Sequence, residues 1–231
     1  MLSLALAAPV DAPRIAEIHM AAFGANAMLR AQFPAAPVRA ALRRSVEVKA
    51  RADMADPRTT VLVVREDCSG SSSDSHARGA EGGGGGGEKG VVVAFAKWAH
   101  PVPSADEDYA EPPWIWPEGT DRGILDAWAG KAEEAQRRAV GSRPCYRLTF
   151  MGTDPAHERR GAATMMARWG IEQCKKDRVP AYLESTLEAA PFYAKNGFTS
   201  VEKFSLEYRR AGSSGEPETY EEISFVYDPL L

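Results

Sequence analysis

Cysteine and histidine are scarce in this chain, basic residues do not outnumber acidic ones, and no apolar run is long. The three cysteines, Cys68, Cys145 and Cys174, are an odd number without CxxC spacing. That argues against a disulfide scaffold, suggests no metal site, and points to a reducing, cytoplasmic compartment. The formal net charge of −4 offers no clustered positive field, so nucleic acid is not an expected partner. No stretch approaches the roughly 20 apolar residues of a membrane span. Residues 1–8 are apolar but lack a basic leader, so they read as a first strand rather than a signal peptide, and no membrane partner is expected. What is present is ordinary: 231 residues, 44% hydrophobic and 26% charged, enough for a single domain with a sizeable core.

Near the start, Asp11 is placed to cap a helix, with Pro13 in its first turn and Ile15, Ile18, Ala22 and Phe23 on one face. His19, beside that face, reads as a packed or partly exposed residue rather than a ligand. A second helix spans about 38–54, with Leu42 and Val46 inward and Arg39, Arg43, Arg44, Lys49 and Arg51 on a solvated face. Residues 59–65 are β-branched and apolar, hence a buried strand, and 90–98 form its hairpin partner. Between them, 68–89 is Ser- and Gly-rich with almost nothing to bury, which predicts a disordered insertion. Its glycine run lacks the lysine-serine pair and the helix of a phosphate loop.

Residues 100–123 form a long proline-rich loop holding Tyr109, Trp114 and Trp116 among acidic residues. Such a loop suits an amine or polyamine by charge and cation–π contact, and equally suits the packing of two tryptophans. A helix then starts at Asp121 and ends near Gly141. Further on, 181–185 reads as a strand, 188–196 as a short helix closed by Gly197, and 198–208 with 220–227 as a terminal antiparallel hairpin.

The chain is organised around residues 148–169. Leu148, Phe150 and Met151 supply a short apolar strand, Asp154-Pro155 breaks it, and Ala163, Met166, Ala167, Gly170, Ile171 and Cys174 then recur at helical spacing. The junction Glu158-Arg159-Arg160-Gly161-Ala162-Ala163 has the chemistry of an anion cradle. The first N–H groups of a helix have no internal partner, and its dipole favours negative charge there. Gly161 admits close approach, the alanines add little bulk, and the arginines add positive charge. From spacing alone, a basic turn with no ligand explains the junction equally well.

These residues resemble the acyl-CoA-binding motif of the GNAT-type N-acetyltransferases, Gln/Arg-x-x-Gly-x-Gly/Ala. Downstream, Pro191-Phe192-Tyr193-Ala194-Lys195-Asn196-Gly197-Phe198 is similar to the family's second motif. The resemblance is specific over about 145–208. It departs at Glu158, where the family has Gln or Arg, and a carboxylate near a pyrophosphate is unfavourable unless it points away.

The resemblance implies an α/β fold with a mixed, mostly antiparallel twisted sheet flanked by helices. In that fold two adjacent parallel strands open into a wedge for the pantetheine arm. By position, Met151, Gly152 and Thr153 would offer backbone to pantetheine and the acyl carbonyl. Arg159, Arg160, Gly161, Ala162, Ala163 and Thr164 would hold the pyrophosphate. Acetyl-CoA would be the co-substrate and a small-molecule or peptide amine the acceptor, with the protein a monomer or homodimer. Tyr193 matches the family's acid position. Glu184, at the end of the wedge strand, is the candidate base, directly or through water, with a substrate anchor as its other role. Two readings from other classes stand beside this one: a catalytically silent acyl-CoA-binding module, and a nucleotide-binding domain using the same helix-start chemistry.

Overall fold

The computed structural model describes residues 1–67, 90–102, 109–210, 212 and 215–231. The insertion expected at 68–89 lies outside them. In chain order the strands are β1 (Leu2–Leu6), β2 (Thr59–Glu66), β3 (Val91–Ala99), β4 (Tyr146–Thr153), β5 (Ala181–Thr186), β6 (Thr199–Tyr208) and β7 (Glu218–Tyr227). The helices are α1 (Ala12–Phe23), α2 (Ala27–Gln32), α3 (Ala36–Ala55), α4 (Arg122–Val140), α5 (Ala162–Asp177) and α6 (Ala190–Lys195). One sheet runs in the order β1-β2-β3-β4-β5-β7-β6. Every pair in it is antiparallel except β4–β5. The expected mixed, mostly antiparallel sheet is therefore the one observed.

Alternation along β2 shows how the two faces are filled. Leu62 and Val64 join the core under α5, while Val61 and Val63 join the core under α1 and α3. Both faces are covered, which is why this strand reads as a continuous apolar run. On the α5 face Trp98 is fully buried and packs where Gly170 leaves room: a Cβ built at 170 would fall inside the indole. At the other end of the sheet, α4 covers β6 and β7, with Trp128 stacked on Phe204 at 5.3 Å and edge-on to Tyr220 at 4.9 Å.

Three local details differ from the sequence reading. Asp11 precedes α1 but its carboxylate does not cap that helix. It accepts from the Ala8 amide at 2.9 Å and takes a buried ion pair from Arg65, Nη2 to Oδ2 2.8 Å. A buried cation attracts a carboxylate more strongly than an exposed helix end does. Helix α2, six residues long, is too short to show a period; it is capped by Asn26, whose side chain accepts from the Met28 and Leu29 amides. Lys49, expected on the solvated face of α3, is 3% exposed. It pairs with Asp53 on its own helix and with Glu111 of the long loop at 2.9 Å. Lys97 of β3 contacts the same two carboxylates. This quartet of two ammoniums and two carboxylates fastens the loop to α3 and β3.

Candidate active site

Strands β4 and β5 are in register over only three pairs, Tyr146↔Ala181, Arg147↔Tyr182 and Leu148↔Leu183. Beyond Leu148 they part. The cause lies on the other side of β4, where the register with β3 jumps from Trp98↔Leu148 to Lys97↔Phe150 and leaves Thr149 as a bulge. A bulge bends its strand and increases local twist. It also turns Phe150 to the face opposite Leu148, against His19 and Trp114. Met151, Gly152 and Thr153, the residues expected to meet pantetheine, lie past this bend. Their registered partners are Ala96, Phe95 and Ala94 on one side, and the other side of the strand faces the split. Gly152 is tightly fitted: a Cβ there would meet Phe95 at 3.0 Å and Phe23 at 3.4 Å.

The turn that follows is braced. Asp154 accepts from the Ala156 amide at 2.9 Å and pairs with Arg14 of α1. Arg159 and Gly161 adopt left-handed backbone, with φ of 60° and 97°. Gly161 is the residue before α5, no side chain caps that helix start, and a Cβ at 161 would meet nothing within 4 Å. The approach to the N-terminal turn of α5, Ala162, Ala163 and Thr164, is thus clear at Gly161, while Ala162 itself is buried. Arg159 and Arg160 are exposed beside it, with Arg160 held by Glu66 at 2.7 Å. Glu158 is exposed to solvent. A helix start with uncapped N–H groups, an open glycine and two arginines fits a pyrophosphate.

On the α1–α4 side, the split opens into a cavity of about 580 Å³. It brings together Met151, Glu184 and Tyr193 of the sequence-predicted set. Tyr193, on α6, is 8% exposed, with its ring edge-on to Phe192 and Phe198 and tilted against Phe225. Burial pushes its hydroxyl well above the ordinary tyrosine range, and the Glu222 charge adds to that. The hydroxyl therefore stays protonated, as a proton donor must. Glu184 accepts from Arg147 Nη2 at 2.8 Å, an ion pair between the facing strands β4 and β5. His19, inside a cage of Phe23, Phe95 and Phe150, is pushed down to about 4 by burial, so it is neutral at pH 7.

Sequence reasoning missed Glu222 and the two residues behind it. Tyr220 donates to Glu222 Oε1 at 2.8 Å, and Asn26 Nδ2 donates to the Tyr220 hydroxyl at 2.8 Å. Burial pushes the Glu222 carboxyl up to about 7, against the Tyr220 hydrogen bond, and the Glu184 charge raises it further. The available signal was compositional: Tyr220, Glu222 and Ser224 are polar on the face of β7 opposite Ile223 and Phe225. That face is not solvated, because α4 and α2 cover it.

Residues 88–198 match the model of the acetyltransferase (GNAT) family. The fold is shared with the Corynebacterium glutamicum protein described as histone acetyltransferase HPA2 and related acetyltransferase, 19% identical over all of this chain and 97% of that one, TM-score 0.56. It is shared with mosquito arylalkylamine N-acetyltransferase like 5b, 12% identical over 99% of this chain and 100% of that one, TM-score 0.58. It is also shared with Drosophila melanogaster polyamine N-acetyltransferase, 15% identical over 99% of this chain and 100% of that one, TM-score 0.54. The matched stretch contains both the Gly161 junction and the Tyr193 segment, and the sheet around it splits between its two parallel strands: residues 88–198 are a domain match to the GNAT family of acetyltransferases.

Proposed function

We propose that this protein is an N-acetyltransferase that moves an acetyl group from acetyl-CoA directly to a primary amine held in the 580 Å³ cavity. The observation that carries this reading is the parallel β4–β5 contact that stops after three pairs and opens between the α5 N-terminus and the cavity. Acetyl-CoA supplies an acyl carbon already activated as a thioester. Backbone groups of Met151, Gly152 and Thr153 line its arm, and the amides of Ala162, Ala163 and Thr164 with Arg159 and Arg160 take its pyrophosphate. Gly161 keeps that approach clear. Tyr193 gives a proton to the departing sulfur. Glu184, fixed by Arg147, anchors negative charge beside the acceptor.

The test has two readouts. A ligand that binds only the native state stabilises it by about 2.7 kcal/mol at a hundredfold excess over Kd, so acetyl-CoA should raise the melting temperature. Thiol release should then follow addition of an amine from a mixed panel. Identical melts at millimolar acetyl-CoA refute the donor site. A raised melt without turnover on any amine leaves an acyl-CoA-binding module in place of an enzyme, and ADP stabilising as well as acetyl-CoA would favour a nucleotide-binding domain.

A further inference from the structure

We propose that the cavity takes a primary monoamine with a flat, apolar body, and that Glu222 both docks its ammonium and removes its proton. This rests on the acetyltransferase reading above and names the acceptor class of the same site. Much of the cavity lining is apolar and aromatic: Phe23, Leu29, Phe33, Trp114, Trp116 and Trp128. Trp114 and Trp116 stack face to face, 4.6 Å between centroids and 6° between planes, with Lys49 Nζ 5.7 Å from the Trp114 centroid and Phe33 5.8 Å from the Trp116 ring, so the pair is a rigid block of aromatic edges. Aromatic edges pack against the face of a flat apolar body without demanding hydrogen bonds. A peptide acceptor would bring backbone N–H and C=O groups against this wall, where they would lose their water unpaired.

Charge narrows the class further. Among the described residues four carboxylates line the cavity: Glu111, Glu133, Glu184 and Glu222. Glu111 is engaged by Lys49 and Lys97, and Glu184 by Arg147. Glu133 is exposed. Among the described residues only Glu222 is partly buried in this wall with no cation beside it; its one hydrogen bond comes from the neutral Tyr220 hydroxyl. One such carboxylate suits one ammonium. A polyamine needs further carboxylates buried at intervals along its length, whereas Glu111 and Glu184 are already paired with cations and Glu133 is exposed to solvent.

The titratable groups sharing the wall with Glu222 are Tyr220 on its own strand, Glu184 on β5, Arg147 on β4, Tyr193 on α6 and Glu133 on α4. His19, Lys97 and Glu111 lie around the loop side. Burial and the Glu184 charge favour the protonated carboxyl, while an incoming ammonium favours the carboxylate. Glu222 therefore stands close to neutrality as a base, where proton transfer at physiological pH is most effective. In the step itself the ammonium gives one proton to Glu222, and the freed nitrogen pair forms the C–N bond as the thioester C–S bond breaks. Tyr193 protonates the sulfur and is restored, through water, by the second proton leaving nitrogen. Glu222 then releases its proton to solvent. Ammonium and thioester become amide, thiol and one proton.

Two measurements test this on the full chain. First, titration calorimetry at pH 8 with 2-phenylethylamine, spermidine and a tripeptide, on the parent and on Glu222→Gln, reads the site without chemistry. Phenylethylamine should bind tightest, and Glu222→Gln should weaken it about tenfold or more. Spermidine or the tripeptide binding tighter, or an unchanged phenylethylamine affinity in Glu222→Gln, overturns the proposal whether or not turnover is seen. Second, in steady-state kinetics the parent kcat/KM should rise with pH through about 7. Glu222→Gln should lose that limb and fall by about 10²–10⁴-fold. Glu184→Gln should keep the limb but move it to lower pH, because a negative neighbour is gone. A limb that survives in Glu222→Gln and vanishes in Glu184→Gln transfers the base role to Glu184. Binding as expected without turnover on any amine would sink the acetyltransferase reading alone.

Discussion

Asp53→Asn isolates what the buried ion quartet contributes. Asp53 touches both ammoniums, and its side chain is 4% exposed, against 2% for Lys49 and 6% for Lys97. The fourth member, Glu111, is 45% exposed and half solvated. Asparagine preserves the shape but leaves two buried ammoniums sharing one carboxylate. Breaking a buried pair by removing one partner costs about 3–5 kcal/mol, and in a chain of this size each kcal/mol moves the melting temperature by about 2–4 °C. The expected drop at pH 7 is therefore about 6–20 °C.

The pH dependence has a definite sign. Burial already lowers the Lys97 ammonium below its ordinary range, with the Asp53 and Glu111 charges opposing. In Asp53→Asn one opposing charge is gone, so the folded pKa falls further below the unfolded one. Stability is then greatest above the ordinary lysine value and is lost as pH falls toward the folded pKa. The deficit against the parent should therefore narrow between pH 7 and 10 in scanning calorimetry. Lys97→Met added to Asp53→Asn leaves the neutral Lys49–Glu111 pair and should recover most of the loss. A single variant melting within about 2 °C of the parent, or a deficit indifferent to pH, refutes the account.

Two further substitutions follow from the packing around the site. Tyr193→Phe keeps the ring among Phe192, Phe198 and Phe225, so the melting temperature should hold; kcat should fall by about 10²–10⁴-fold with little change in KM for acetyl-CoA, and an unchanged kcat would remove this hydroxyl from the reaction. Gly170→Val places a branched side chain where the Trp98 ring sits, so a loss of about 3 kcal/mol or more is expected in urea unfolding; a loss under 1 kcal/mol would mean that α5 is loosely held.

The parts of the site legible in the sequence were those specified over short distances. Asp154-Pro155, Gly161 and the α5 stripe ending at Cys174 each announce themselves within a few residues, because turn chemistry and helical period are local. The stripe was off by one at its start: Ala162 rather than Ala163 is buried. Lys49 was read onto a solvated helix face, since two of its three charged neighbours, Lys97 and Glu111, come from distant segments. Asp11 shows the same effect, diverted from the helix start by Arg65. Glu222 was hidden by a correct observation. The alternation of Ile223, Phe225 and Tyr227 marks one buried face, but nothing local says that the other face is roofed by α4 and reached by Asn26.

The split in the sheet carries a mechanical consequence. Between β1–β4 on one side and β5–β7–β6 on the other, the backbone connection is three registered pairs at one end of the parallel strands. On the proposed reading each half carries its own share of the chemistry: the cradle turn grows out of β4, whereas Glu184, Tyr193 and Glu222 belong to the other half. Beyond this short seam the facing amides and carbonyls of β4 and β5 have no strand partner across the split and must otherwise be met by water. A donor whose arm lies along both edges would tie the halves together as an added strand does, and would fix the distance from cradle to carboxylates. The acceptor would then bind to a frame already stiffened and would bear less of the ordering entropy itself. On the proposed reading, donor binding is therefore expected to tighten acceptor binding without any direct contact between the two substrates.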